Sequence, residues 1–167
     1  MHCAPKKSPM NVLQVSFQFS RATGDVEPSY QTAIWLEDEE GYVKTLLLSE
    51  YLSYGGYNDS TICPSWNSKA DWGNAPMDAY DAVTRATPPL GDHLYLFDLD
   101  TLNVEPGEYW CCLQTHIIED YNILFKNKIK TTEPSEEVQS DAVFIPSAYP
   151  GAEQVLTHVM ARVVKKQ

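Results

Sequence analysis

Period two runs through most of the chain. In Leu13-Gln14-Val15-Ser16-Phe17-Gln18-Phe19 apolar and polar residues alternate strictly, the pattern of a strand with one face in a core. Thr32 to Leu36 and Tyr42 to Leu48 flank Glu37-Asp38-Glu39-Glu40-Gly41. That arrangement predicts a hairpin with an acidic, solvated tip and Gly41 in a left-handed conformation. Further strands are expected at His93–Phe97, Tyr109–Ile117, Asn122–Lys130 and Ala142–Ile145. The order Pro106-Gly107 predicts a type II turn ahead of Tyr109. Val155–Val164 alternates as a strand but also reads as a helix. Seven or eight strands separated by turn signals predict a mostly β fold, an antiparallel sandwich.

The stretch 49–91 breaks the rhythm. It holds Tyr51, Tyr54, Tyr57, Trp66, Trp72 and Tyr80, six of the 14 Tyr and Trp residues of the chain. Short helices are expected near Trp66–Trp72 and, after Pro76, at Met77–Val83. A connection this long and this aromatic is neither a tight turn nor a disordered tail, so function is expected there. The domain is therefore read as 11–167 with an insert at about 49–91, preceded by a tether over 1–10.

Composition narrows the role. Twelve Lys and Arg against 23 Asp and Glu leave a net charge of −11, which argues against a basic face that binds nucleic acid. No run of about 18 apolar residues is present to span a membrane. The four cysteines, Cys3, Cys63, Cys111 and Cys112, lack C-x-x-C spacing, so a zinc site is not indicated and the metal set is empty. Cys111 and Cys112 are neighbours in a strand and must face opposite ways. At most one of them meets Cys63, and buried free thiols are the alternative to that bridge. At the N-terminus, Cys3 followed by Ala-Pro-Lys-Lys-Ser-Pro is how many bacterial lipoproteins begin once their signal is removed. A lipid anchor at Cys3 stands beside the reading of an ordinary frayed terminus.

The familiar catalytic signatures, G-x-S-x-G, P-loop, G-x-G-x-x-G and H-E-x-x-H, do not occur. His2, His93, His116 and His158 are scattered. Lys126, Lys128 and Lys130 share one strand face, either a docking patch for an acidic partner or a solvated face. One stretch is different: Asp81-Ala82-Val83-Thr84-Arg85-Ala86-Thr87-Pro88-Pro89-Leu90-Gly91.

Together with Ile34-Trp35-Leu36-Glu37-Asp38, Gly41-Tyr42-Val43-Lys44-Thr45-Leu46 and Pro106-Gly107-Glu108-Tyr109, that stretch resembles an uncharacterised family of bacterial predicted periplasmic proteins. The family pattern is a W-I-E-D…G…V-K-T-L hairpin, a tryptophan-bearing insert, D-A-V-T-G-A-T and a P-G-x-Y strand. The resemblance spans roughly Tyr30 to Gln114. Its members also resemble the immunoglobulin-like repeat of flagellar hook-capping proteins, which implies an immunoglobulin-like antiparallel β-sandwich and a periplasmic or cell-envelope location.

The same segment is similar to D-x-x-[ST]-G-A-[ST], the acceptor motif of periplasmic FMN transferases, which join FMN through its phosphate to the last hydroxyl. By position Asp81, Thr84, Ala86 and Thr87 match, and the resemblance makes Thr87 the acceptor. Ala86 leaves room for the enzyme, and Pro88-Pro89 keeps Thr87 out of regular structure. Arg85 stands where the motif has Gly. If that Gly supplies a positive φ, Arg85 is strained; alternatively its guanidinium pairs with the phosphate. The resemblance implies a non-enzymatic redox carrier with covalent FMN, Trp72 and Tyr80 stacking on the flavin, and partners in an FMN transferase and membrane redox proteins. The other reading is a structural or interaction module of the cell envelope, in which Asp81 and Thr84 only shape a loop.

Overall fold

The strict alternation of the first segment becomes β1 (Asn11–Phe19), with Leu13, Val15, Phe17 and Phe19 buried together in one core. The computed structural model describes residues 11–23, 27–134, 138–139 and 141–166; the tether over 1–10, with Cys3, lies outside them. Downstream come β2 (Thr32–Asp38), β3 (Gly41–Ser49), β4 (Thr84–Arg85), β5 (Gly91–Asp98), β6 (Glu108–Ile118) and β7 (Tyr121–Lys130). Then follow β8 (Val138–Gln139), β9 (Val143–Ile145) and β10 (Leu156–Lys165). Val155–Val164 thus resolves as strand, its alternation winning over the helical reading.

Two sheets pack face to face, one in the order β5-β1-β10-β8 and the other β4-β3-β2-β6-β7-β9. The hairpins β2–β3 and β6–β7 lie in one sheet, β1 pairs with β5 in the other, and the chain crosses between them. This is the connectivity of an immunoglobulin-like sandwich. The C-terminal strand β10 occupies the far side of β1, where the first strand lies in that architecture. Pairing is antiparallel apart from β3–β4, where Leu48 and Ser49 run parallel to Thr84 and Arg85.

Tyr109 is buried at the start of β6, and its hydroxyl donates to the Glu105 carbonyl at 2.6 Å. Two residues on is Cys111. A tyrosine tied to the backbone just upstream at this point is the tyrosine corner of such sandwiches. The type II turn expected at Pro106-Gly107 is not formed. Gly107 is not among the positive-φ residues; its N–H donates to Thr131 Oγ1 and its carbonyl accepts from the Thr131 N–H, each at 2.9 Å. The two hydrogen bonds to Thr131 replace the turn.

The acidic tip also differs from expectation. β2 and β3 stay paired to Asp38 and Gly41 (φ +118), so only Glu39 and Glu40 make the turn. Glu37 is not part of the solvated tip. It is buried on the outer face of the sheet, accepting from Trp35 Nε1 at 2.9 Å and pairing with Lys69 at 2.8 Å and Lys126 at 3.0 Å. Lys128 and Lys130 pair with Glu108 on the same face.

The insert covers the outer face of the six-stranded sheet. It comprises α1 (Glu50–Tyr54), α2 (Pro64–Ala70), α3 (Met77–Val83) and two 3-10 turns at Gly56–Asn58 and Trp72–Asn74. The result is a second core, in which Ala33, Trp35, Leu48 and Cys112 of the sheet meet Leu52, Trp66 and Trp72 of the insert. With both faces covered, β2 is apolar without interruption through Ala33-Ile34-Trp35-Leu36, as doubly buried strands are. Cys111 points into the sandwich core and Cys112 into the second. The bridge considered from Cys63 to either is not formed: all three are free, buried thiols, and burial pushes each above its ordinary value, Cys111 to about 12.

Candidate functional site

The Asp81–Thr87 segment is the seam by which the insert rejoins the sandwich. Pro76 fixes the chain ahead of α3, and Asp81 lies in that helix rather than in a loop. The helix ends where the Thr84 N–H bonds the Tyr80 carbonyl. Thr84 and Arg85 then add to β3 as β4. Ala86 and Thr87 continue outside regular structure, Pro88-Pro89 prevents further pairing, and Gly91 (φ +119) opens β5. His93 Nε2 donates to the Pro89 carbonyl at 2.6 Å, fastening the end of the segment to β5.

Each motif side chain has a definite environment. Asp81 is exposed and accepts from Tyr54 Oη at 3.0 Å. Thr84 Oγ1 donates to the Tyr80 carbonyl, so its contact with the buried Ser53 Oγ at 2.7 Å is one in which Ser53 donates. Both its proton and an acceptor site are therefore engaged. Ala86 is exposed. Thr87 is half-buried, and its Oγ1 accepts from Gln31 Nε2 at 3.0 Å.

Arg85 is exposed, and its Nη1 donates to the Thr84 carbonyl at 2.9 Å. Its backbone is not at positive φ. The strain that an Arg would suffer in a left-handed Gly position therefore does not arise. Its charge reaches β5: burial pushes the Tyr95 hydroxyl above its ordinary value, and Arg85 opposes that rise.

Trp72 packs in the second core rather than presenting a face to a flavin, and Tyr80 is half-buried beside it. Trp72 is buried, its Nε1 donates to the Ser53 carbonyl at 3.1 Å, and its ring lies against Trp66 (5.9 Å) and Tyr80 (5.0 Å). Tyr80 donates to the Trp72 carbonyl at 2.8 Å and stacks on Tyr54 at 6.1 Å. The ring open to solvent beside the motif is Tyr54, at 55% exposure.

Two residues that sequence reasoning missed organise the segment. Ser53 holds Thr84 and Trp72. Gln31, immediately before β2, holds Thr87 through Nε2 and receives the Leu52 N–H on Oε1 at 3.3 Å. Gln31 and Thr87 are 56 residues apart, and no local pattern marks either contact. A separate open cleft of about 670 Å3 is lined by Asp38, Glu39, Glu40, Glu108, Trp110 and Lys128 among others. Four carboxylates facing one lysine make that cleft unfavourable to an anion.

Among the described residues no three His, Cys, Asp or Glu side chains converge as metal ligands. His116 instead meets Ser29 Oγ at 2.6 Å and the Glu119 carbonyl at 2.7 Å. No helix of the described residues is long and apolar enough to cross a membrane. No family model, curated protein or solved structure matches the chain.

Proposed function

We propose that the protein is a covalent FMN carrier of the cell envelope, modified on Thr87. One observation carries the reading. Of the two threonine hydroxyls in the acceptor-like segment, that of Thr84 is engaged as both donor and acceptor, whereas among the described residues that of Thr87 is held only as an acceptor, by Gln31. Thr87 Oγ1 keeps its proton and a lone pair for reaction, on a half-buried stretch outside regular structure. Arg85, two residues away, is exposed and bonded through Nη1 to the Thr84 carbonyl, so its side chain stands beside the approach to Thr87.

The transfer needs an activated donor. With flavin adenine dinucleotide, the Oγ–P bond to Thr87 forms, the pyrophosphate P–O bond breaks, AMP leaves, and the Thr87 proton passes to the transferase. Once attached, FMN supplies reversible one- or two-electron chemistry at its ring. Thr87 would hold the phosphate, and the exposed Tyr54 ring offers apolar surface on the insert side. The resemblance to periplasmic proteins implies export and membrane redox partners.

Co-expression with a periplasmic FMN transferase tests the reading. The intact mass rises by one FMN less water, and the purified protein is yellow. Thr87→Ala abolishes the gain and leaves the fold intact, while Thr84→Ala keeps the attachment. An unchanged mass in the unsubstituted chain refutes the proposal. One observation favours a structural module of the envelope instead: Asp81 and Thr84 are both committed to bonds inside the insert.

A further inference from the structure

Gln31 lies outside the acceptor-like segment and is nine-tenths buried, at 9% exposure, yet it is the side chain that holds the Thr87 hydroxyl. Its orientation is determined. The Leu52 backbone N–H can only donate, so the oxygen of the Gln31 carboxamide faces Leu52 and the nitrogen faces Thr87. The backbone of Gln31 is anchored as well: its carbonyl accepts from the His116 N–H at 2.8 Å, and its N–H donates to Ser29 Oγ at 3.3 Å. The amide that meets Thr87 is therefore fixed by β6, by α1 and by the residue two before it.

We infer that Gln31 is a positioning residue for modification of Thr87, an inference that rests on the proposed flavin attachment. An N–H donor at Oγ1 fixes the Thr87 rotamer while using a single lone pair. The hydroxyl proton points away, toward a base on the transferase, and the second lone pair is left to attack phosphorus. The same N–H still has an oxygen to donate to once Oγ1 has become the ester oxygen, so the contact survives the reaction. Holding a nucleophile in one geometry before the encounter lowers the orientational cost of the transfer. A carboxylate in place of the amide reverses the polarity: it accepts the hydroxyl proton, turns the lone pairs away and adds negative charge beside the phosphate.

The test compares the unsubstituted chain with Gln31→Glu and Gln31→Met in a purified transfer reaction with flavin adenine dinucleotide, followed by intact mass. Gln31→Glu keeps the shape and an acceptor for Leu52, and is expected to slow labelling at saturating acceptor by about tenfold or more, the worth of one hydrogen bond. The acceptor concentration for half-maximal rate stays unchanged, because the docking surface is intact. Gln31→Met lacks both bonds and is expected to slow labelling in the same way while its unfolding midpoint still reports a folded chain. Labelling of both variants at the unsubstituted rate overturns the inference and leaves Thr87 as the acceptor. Slower labelling that comes wholly from a higher half-saturating concentration also overturns it, since that marks a damaged docking surface. If the unsubstituted chain takes no label, the flavin reading fails and the role of Gln31 with it.

Discussion

The two faces of the six-stranded sheet are held by different physics. The inner face meets the other sheet through aliphatic and aromatic side chains delivered by alternation, as from β1 and from Leu113, Phe125 and Ile129. The outer face meets the helical insert partly through apolar packing of Trp35, Trp66 and Trp72, but its fit is set by directed polar contacts. Trp66 Nε1 donates to Thr45 Oγ1 at 2.9 Å, the Ser65 N–H to Gln114 Oε1 at 2.9 Å, and the Cys63 N–H to Asn122 Oδ1 at 2.9 Å. Lys69 of α2 closes on Glu37. A non-directional core tolerates repacking, whereas a polar one specifies a single placement and loses it when a partner is removed. The segment that ends in Thr87 hangs from the polar side, so its geometry depends on the contacts that position the insert.

The largest expected effect lies on the inner face. Tyr109→Ala removes a buried ring and the bond to Glu105 at the start of β6, and the expected loss is about 3–5 kcal/mol. Denaturant unfolding checks it. The transition should shift as a whole, because the ring belongs to the core shared by both sheets. A loss below about 1 kcal/mol would show that Tyr109 is not a corner of the sandwich, and the contrast between the two faces would collapse.

Next in size is the ionic contact of the outer face. Glu37→Gln leaves Lys69 and Lys126 without their carboxylate, and the expected loss is about 2 kcal/mol at pH 7, the range for hydrogen bonds to a charged group. Burial alone would raise the Glu37 carboxyl; Lys69, Trp35 and Lys126 outweigh it and hold it down to about 2 from an ordinary 4.5. A folded value below the unfolded one means that the contribution is fully present above about 4.5 and fades as the pH falls through about 2. The stability difference between the parent chain and Glu37→Gln should therefore shrink across that window. A difference that stays constant down to pH 2 would assign the loss to packing rather than to charge.

That contrast also explains what was legible from the sequence. The strands follow from local pattern: β1 is visible as strict alternation, the β2–β3 hairpin as two apolar runs around an acidic turn, and β7 through its alternating lysines. α3 is visible because Pro76 marks its start. By contrast α1 spans five residues, too short for a helical period, and is separated from the apolar run Leu46-Leu47-Leu48 by Ser49 alone. Glu37 reads as one more acid in a charged turn; its burial depends on Lys69 and Lys126, 32 and 89 residues away. Gly107 carries a turn signal that pairing with Thr131 overrides. Thr87 enters as the proposed acceptor through a motif resemblance, whereas the contacts of Gln31 with Thr87 and of Ser53 with Thr84 are set by tertiary structure alone. Trp72 shows the opposite failure: an aromatic in a functional-looking insert serves the second core.

The smallest effect is expected at Arg85, and there stability and modification should move in opposite directions. Arg85 lies in β4 with an ordinary extended backbone, pairs with Ser49 and presents its side chain to solvent. Arg85→Gly therefore relieves no strain. It adds freedom to the unfolded chain and weakens a two-residue strand, with an expected loss of about 0.5–1 kcal/mol. The same change restores the glycine of the acceptor motif beside Ala86, clearing a long side chain from the approach to Thr87, so transferase labelling should quicken. Arg85→Lys keeps both length and charge and should leave the rate near that of the parent. Paired measurements of unfolding midpoint and labelling rate decide the cause. A slower Arg85→Gly would mean that the guanidinium assists the phosphate, and its benefit would then exceed the obstruction. A faster one with a slightly lower midpoint would mean that the motif glycine serves access of the enzyme rather than backbone conformation, which is the reading that the extended geometry at Arg85 favours.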